Sequence, residues 1–183
     1  MNDQVEMARR TVLQALGGLA LLTVPHAAAA DDAPPGSGKP GEFDFLTGSW
    51  KIANRKRRKP GADEWDVFPG ESTCWSILGG IASIEELRIP ARNFAGMGLR
   101  MLDVEKGVWS DFWVNAKSGV LTTPGTTGRF ENGAGVFVSE EDGVQVRGVW
   151  DHITPTSCRW SQAASRDGGK TWLDDWLMEW TRA

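Results

Sequence analysis

Residues 144–151 read Val144-Gln145-Val146-Arg147-Gly148-Val149-Trp150-Asp151. Val144, Val146, Gly148 and Trp150 alternate with Gln145, Arg147, Val149 and Asp151, and one of the two sets is the more apolar. A period of two is that of a β-strand, whose successive side chains point to opposite faces. Just upstream stands Glu141-Asp142-Gly143, and Asp-Gly tolerates the positive φ that a two-residue hairpin turn needs. Outward from this strand the same grammar repeats. Strand-like runs occupy 50–57, 67–78, 81–88, 96–104, 108–115, 135–139 and 157–164, with turn signals at Pro60-Gly61, Glu105-Lys106-Gly107, Lys117-Ser118-Gly119 and Glu131-Asn132-Gly133. Trp172, Trp176 and Trp180 recur every four residues and suit a helix stripe or a strand face; the hairpin context decides for strand. Nine or ten hairpin-linked strands must hide their edges, and closure does this most completely. The expected fold is therefore all-β, a single antiparallel up-and-down barrel.

The chain has 183 residues, a length for one domain with an ample core. Its formal net charge of -4 disfavours a phosphate-tracking nucleic-acid binder, which needs a basic field. The run Arg55-Lys56-Arg57-Arg58-Lys59 leads straight into Pro60-Gly61 and reads as a solvated hairpin tip. Arg9-Arg10, the apolar run 12–24 and Ala28-Ala29-Ala30 read as an export signal over residues 1–30, resembling a twin-arginine signal, with a periplasmic or secreted product. The apolar run is short of the roughly 20 residues that span a bilayer, so no stable membrane span is expected after cleavage. Residues 31–42, rich in Pro, Gly and Ser, read as a flexible leader, and 43–183 as the barrel domain.

Only His26 and His152 occur, and His26 falls in the signal, so a His-rich metal site cannot be assembled. No metal or cofactor is expected. Cys74 and Cys158 form no CxxC; a disulfide and two buried thiols are both open. Ser165-Arg166-Asp167-Gly168-Gly169-Lys170-Thr171-Trp172 matches the Asp-box pattern S-x-D-x-G-x-x-W, a structural turn. Sialidase-like propellers carry several copies, and this chain is too short for a propeller. Leu78-Gly79-Gly80 reads as a bend beside a strand.

Ten Trp and no Tyr are the unusual entries of the composition. Trp walls with a few paired charges would suit a small, partly aromatic ligand, with Arg holding a carboxylate or phenolate. Glu85, Arg100, Asp111, Arg147, Asp151 and Arg159 are the charges that could line a barrel, beside Trp50, Trp113, Trp150 and Trp160. The ligand-binding candidates are Trp50, Arg100, Trp113, Arg147 and Trp150. Parity warns against two of them: Arg147 lies opposite in face to Trp150, and Arg100 opposite to Met97, Leu99 and Met101. His152, Asp111 and Glu85 are the candidate proton-moving groups.

Phe43-Asp44-Phe45-Leu46-Thr47-Gly48-Ser49-Trp50, Leu78-Gly79-Gly80 with Ile84-Glu85-Glu86, Gly98-Leu99-Arg100, Arg147-Gly148-Val149-Trp150 and the terminal Asp-box stretch resemble, in this order, a bacterial family of domains of unknown function (DUF1579-like). The resemblance runs from Phe43 to Arg182. It implies a lipocalin-like or calycin-like barrel and no particular activity, and no histidine here falls on a motif that could be carried over for heme. Three functions are consistent with the sequence. The first is an exported barrel binding a small apolar or aromatic molecule, anionic ones included. The second is a cofactor-free isomerase, cyclase or lyase acting on such a molecule, and the third a structural envelope protein.

Overall fold

The computed structural model describes residues 37–183. The signal expected over residues 1–30 and the first part of the leader lie outside the described residues. Ten antiparallel strands follow one another: β1 (Gly48–Arg57), β2 (Trp65–Ile77), β3 (Ala82–Ile89), β4 (Phe94–Asp103), β5 (Val108–Asn115), β6 (Thr126–Glu131), β7 (Ala134–Glu141), β8 (Val144–Asp151), β9 (Ser157–Ser165) and β10 (Leu173–Arg182). Each pairs with its sequence neighbour, and β10 returns to pair with β1 from Trp50↔Arg182 to Lys56↔Trp176, which closes the barrel. Among the described residues no helix is long and apolar enough to cross a membrane.

The turns work as their residues dictate. Asn132-Gly133 and Asp142-Gly143 have positive φ at both positions, the twist that a tight hairpin requires. Leu78-Gly79-Gly80 is a left-handed bend between β2 and β3. In the Asp box, Thr171 donates its amide and hydroxyl to the Asp167 carboxylate, Gly169 donates its amide to Ser165 Oγ, and Trp172 Nε1 donates to the Gly169 carbonyl. β6 (TTGRFE) is the strand that the alternation does not announce. It carries one large apolar residue, and it is extended because β5 and β7 must be bridged for the barrel to close.

One end of the barrel is sealed by the segment before β1. A 3-10 turn at Asp44–Leu46 tucks Leu46 and Phe43 inside, and Trp50 Nε1 donates to the Leu46 carbonyl. The Phe43 ring meets Trp109 and Phe130 edge-on, each at 4.9 Å, and reaches Phe137 and Trp150 beyond them. The end of the expected flexible leader is thus fixed in place. Gly38 and Gly41 donate their amides to the carbonyls of Gly107 and Gly80, and Glu42 accepts from Trp109 Nε1. These backbone bonds need no apolar side chain, so the composition of residues 37–42 concealed them.

Four fully buried tryptophans, Trp50, Trp109, Trp150 and Trp180, fill the sealed half. Glycines make room for rings elsewhere: a Cβ at Gly96 would lie 2.2 Å from the Trp113 ring, which lies across it. Cys74 and Cys158 are free, buried thiols, and burial pushes each up to about 12.

Two predictions follow from this packing. Phe43→Ala should cost about 3–5 kcal/mol, since it empties the space between five other rings; a shift of the urea midpoint measures it. Asp167 is held down to about 2, first by the Thr171 hydroxyl and then by backbone and Ser165 hydrogen bonds. The unfolded state binds that proton more readily, so this contribution is present above about pH 4 and lost as pH falls towards 2. Asp167→Asn should abolish that part of the acid-stability curve.

Candidate functional site

Closure fixes which parity faces inward, and the candidate site is the interior of the half that the Phe43 segment leaves unsealed, where Phe68 and Ile89 are also buried. From β1 come Asn54 and Lys56, from β3 Glu85, from β4 Arg100, from β5 Asp111 and Trp113, from β8 Gly148, from β9 Trp160 and Gln162, and from β10 Trp176. A bulge between Asp174 and Trp176 also brings the Asp175 carboxylate to Gln162, whose amide nitrogen donates to both of its oxygens at 3.1 Å. Trp176 donates to Asn54 Oδ1 and meets Trp160 edge-on at 5.8 Å, while Lys56 lies over its ring at 3.9 Å. Burial lowers the Lys56 ammonium, with Asp175 acting against it.

At the bottom of this space lies a buried charge cluster. Arg100 rests over the Phe43 and Trp150 rings, at 5.2 and 5.1 Å, and donates to Glu85 at 2.5 Å. Its Nε is 3.8 Å from the Asp111 carboxylate. Burial alone would lower the guanidinium, but Asp111 and Glu85 outweigh it and hold the charge more firmly. Asp111, about a quarter accessible, lies beside this pair and lines a cavity of the barrel. Desolvation raises it to about 6, against the attraction of Arg100 and with the help of Glu85. The cavity beside it, about 90 Å³, is lined by Asp111, Phe137, Val146, Gly148, Trp160 and Gln162, among others.

Among the described residues several buried polar atoms have no hydrogen-bond partner, and every one is a donor: Asn54 Nδ2, Arg100 Nε and Nη1, Trp150 Nε1, Trp180 Nε1 and Arg147 Nε. All but the last belong to inward-facing residues. A buried donor without an acceptor is costly, so the barrel interior is short of oxygen. Among the described residues no three His, Cys, Asp or Glu side chains converge to hold a metal ion.

The sequence candidates divide. Arg100, Trp113 and Trp150 face inward, Trp113 stacked on Phe94 and Trp150 beneath Arg100. Trp50 faces inward too, but it is fully buried in the seal, where its Nε1 donates to the Leu46 carbonyl. Arg147 lies on the outer face, over Trp172, as do Asp151 and Arg159, which pair with each other. His152 is in an exposed turn with φ 50° after β8, away from the interior. Two-residue alternation would put His152 on the face of Trp150, but the strand ends at Asp151 and the alternation ends with it. In β4 the expectation from the methionines reverses: Gly96, Gly98, Arg100 and Leu102 are the buried set, and Met97, Leu99 and Met101 face out. The glycines leave space for Trp113 and the guanidinium, which bulkier side chains would fill. The basic run also splits, with Arg55 and Arg57 packing outside on Trp65 and Lys56 turning into the barrel. Asn54, Gln162, Asp175 and Trp176 were not anticipated. The alternation of β1 could have pointed to Asn54, whereas Asp175 is inward only because of the bulge.

No family model and no curated protein matches this chain. Among solved structures it is similar to the S-type phycobiliprotein lyase CPES from Guillardia theta, with 11% identity over 77% of this chain and 90% of that one, at a TM-score of 0.49. It is also similar to EF1p2_mFAP2b bound to DFHBI, with 10% identity over 76% of this chain and 95% of that one, at a TM-score of 0.40. Similarity at this level leaves the functional argument to the chain's own residues.

The raised Asp111 gives a signed prediction. The native state holds this proton more tightly than the unfolded chain, whose carboxyl titrates near 3.8. Its contribution to stability should therefore fall as pH rises from about 4 to about 6. Asp111→Asn should flatten that segment relative to the parent, measured as urea midpoints across the range.

Proposed function

We propose that the barrel binds a small planar molecule carrying oxygen acceptors, taken in through the end opposite the Phe43 seal. The observation that carries this reading is the buried Arg100 guanidinium, whose Nε and Nη1 have no hydrogen-bond partner among the described residues, next to Asp111, which lines the cavity. A carboxylate or phenolate directed at Arg100 would supply what these donors lack, and Trp113, Trp160 and Trp176 offer flat surfaces for a ring. Size sets the mode of entry. A cavity of about 90 Å³ holds about three waters at roughly 30 Å³ each, whereas a benzene-sized ring takes roughly 150 Å³. An aromatic ligand therefore needs more room than this cavity has, and a compact oxyanion does not.

Export is part of the same proposal, supported by Arg9-Arg10, the apolar run and Ala28-Ala29-Ala30, as is kinship with the DUF1579-like family, supported by the ordered motifs. Asp111 favours a second reading, proton transfer to or from the bound molecule, because it combines cavity access with a value of about 6, suited to acid–base work near neutral pH.

The test is to express the full chain in a Gram-negative host, purify the product from the periplasm and weigh it under native and denaturing conditions. The expected result is a product shortened near Ala30 and a small-molecule increment present only in the native mass. Arg100→Lys, which keeps a charge beside Glu85 but removes the spare donors, should lose that increment while retaining the parent circular dichroism spectrum. Equal native and denatured masses, together with no saturable response to benzoate, would leave a barrel filled by side chains and water and defeat the binding reading. For the second reading, the released compound would be incubated with protein in D2O. Deuterium uptake that is lost in Asp111→Asn supports it, and no uptake by the parent protein removes it.

A further inference from the structure

On the outer face of the sheet, β7 to β10 form a groove of about 440 Å³, within the range of roughly 300–1,000 Å³ usual for ligand sites. The strand register lays out its surface in three rows. The middle row, Val136, Val149, Ser161 and Leu177, runs straight across four strands and is mainly apolar. The row towards the unsealed end sets Arg147 and Asp174 on either side of Ala163. In the third row Arg159 donates to both oxygens of Asp151, at 2.8 and 2.7 Å. Small side chains at Ser161 and Ala163, between larger neighbours, make the surface concave.

The cations of this groove differ. Arg159 is committed to Asp151, while Arg147 makes no ion pair with any described residue, and its Nε–H is buried without an acceptor. Its guanidinium instead lies over the Trp172 ring, 4.3 Å from the ring centre. Trp172 is itself fixed by its bond to the Gly169 carbonyl within the Asp-box turn. The turn therefore does more than close a hairpin, because it orients an arginine whose donor has nothing to hold. Uncommitted Arg147 next to an apolar row calls for one negative group on an apolar body. Asp174 across Ala163, together with Asp151, disfavours a second negative charge. Closure of the barrel leaves no strand edge for an extended peptide to join, which favours a small molecule over a chain segment.

We propose that this groove is a second ligand site, for a small organic monoanion whose carboxylate or sulfonate accepts from Arg147 and whose apolar part lies on Val136, Val149 and Leu177. It stands on the opposite side of the sheet from the barrel interior and is independent of whether the interior binds anything. The probe is 4-phenylbutyrate, titrated into the 15N-labelled full chain. The expected result is saturable shifts of the Val136, Val149, Ser161 and Leu177 amides and the Trp172 indole, with at least roughly tenfold weaker binding in Arg147→Gln and little change in Arg100→Lys. Ser161→Phe, which fills the groove and leaves Arg147 in place, should also lose binding and covers the case in which Arg147→Gln does not fold. Shifts confined to Gly148, Trp160 and Gln162, or affinity unchanged in both groove variants, would overturn the proposal. So would groove shifts that depend on protein concentration without the probe, which would make this face a contact between copies of the chain.

Discussion

The pairing of β10 with β1 is the constraint on which the rest depends. Until those strands meet, the sheet has two free edges and no enclosed interior. Once Trp50 lies opposite Arg182 and Lys56 opposite Trp176, every strand has one face that is shut in, and the period of two assigns each side chain to one side or the other. Trp176 and Trp180, one on each side of Met178, are delivered inward by this register, and the four-residue spacing that once suited a helix becomes two places on one face of a strand.

The interior so formed is unequal along its length. The sealed half is an aromatic core built on Phe43 and four fully buried tryptophans. Where that core ends, Arg100 spreads over Phe43 and Trp150 and faces two carboxylates. A buried ion cluster of this kind contributes little to stability on balance, because desolvation opposes the attraction. Under the proposed function, its use is to meet a ligand's acceptor with the spare donors of Arg100. Desolvation also moves Asp111 towards neutrality and weakens the charge of Lys56. Two ionisable groups in one lumen thus have protonation equilibria set by the enclosure.

The outer face shows how a local motif acquires a role from its setting. Ser165 to Trp172 would form much the same hydrogen-bonded turn on many hairpins. Here the register of β8 against β9 places Arg147 within reach of Trp172, and the ring holds a guanidinium that pairs with no described carboxylate.

Much of the fold was legible in the residues. Alternation and hairpin context announced nine of the strands, and Asn132-Gly133 and Asp142-Gly143 announced their tight turns, because pleat parity and left-handed backbone are local properties. β6 escaped, since TTGRFE is extended only through its neighbours, and so did the anchoring of residues 37–42 by backbone bonds. The site was legible in its chemistry, with Trp, Arg and carboxylate named, but not in its assembly. Trp113 and Arg100 could be named from the sequence, but whether Arg100 or its methionine neighbours face inward depends on how much space the facing strands leave. By itself the sequence determined an all-β chain of hairpins with an aromatic, histidine-poor interior. Tertiary structure alone decided that Arg100 is enclosed and Arg147 outside, because a two-residue period defines two faces, and only the closing of the sheet decides which of them is the inside.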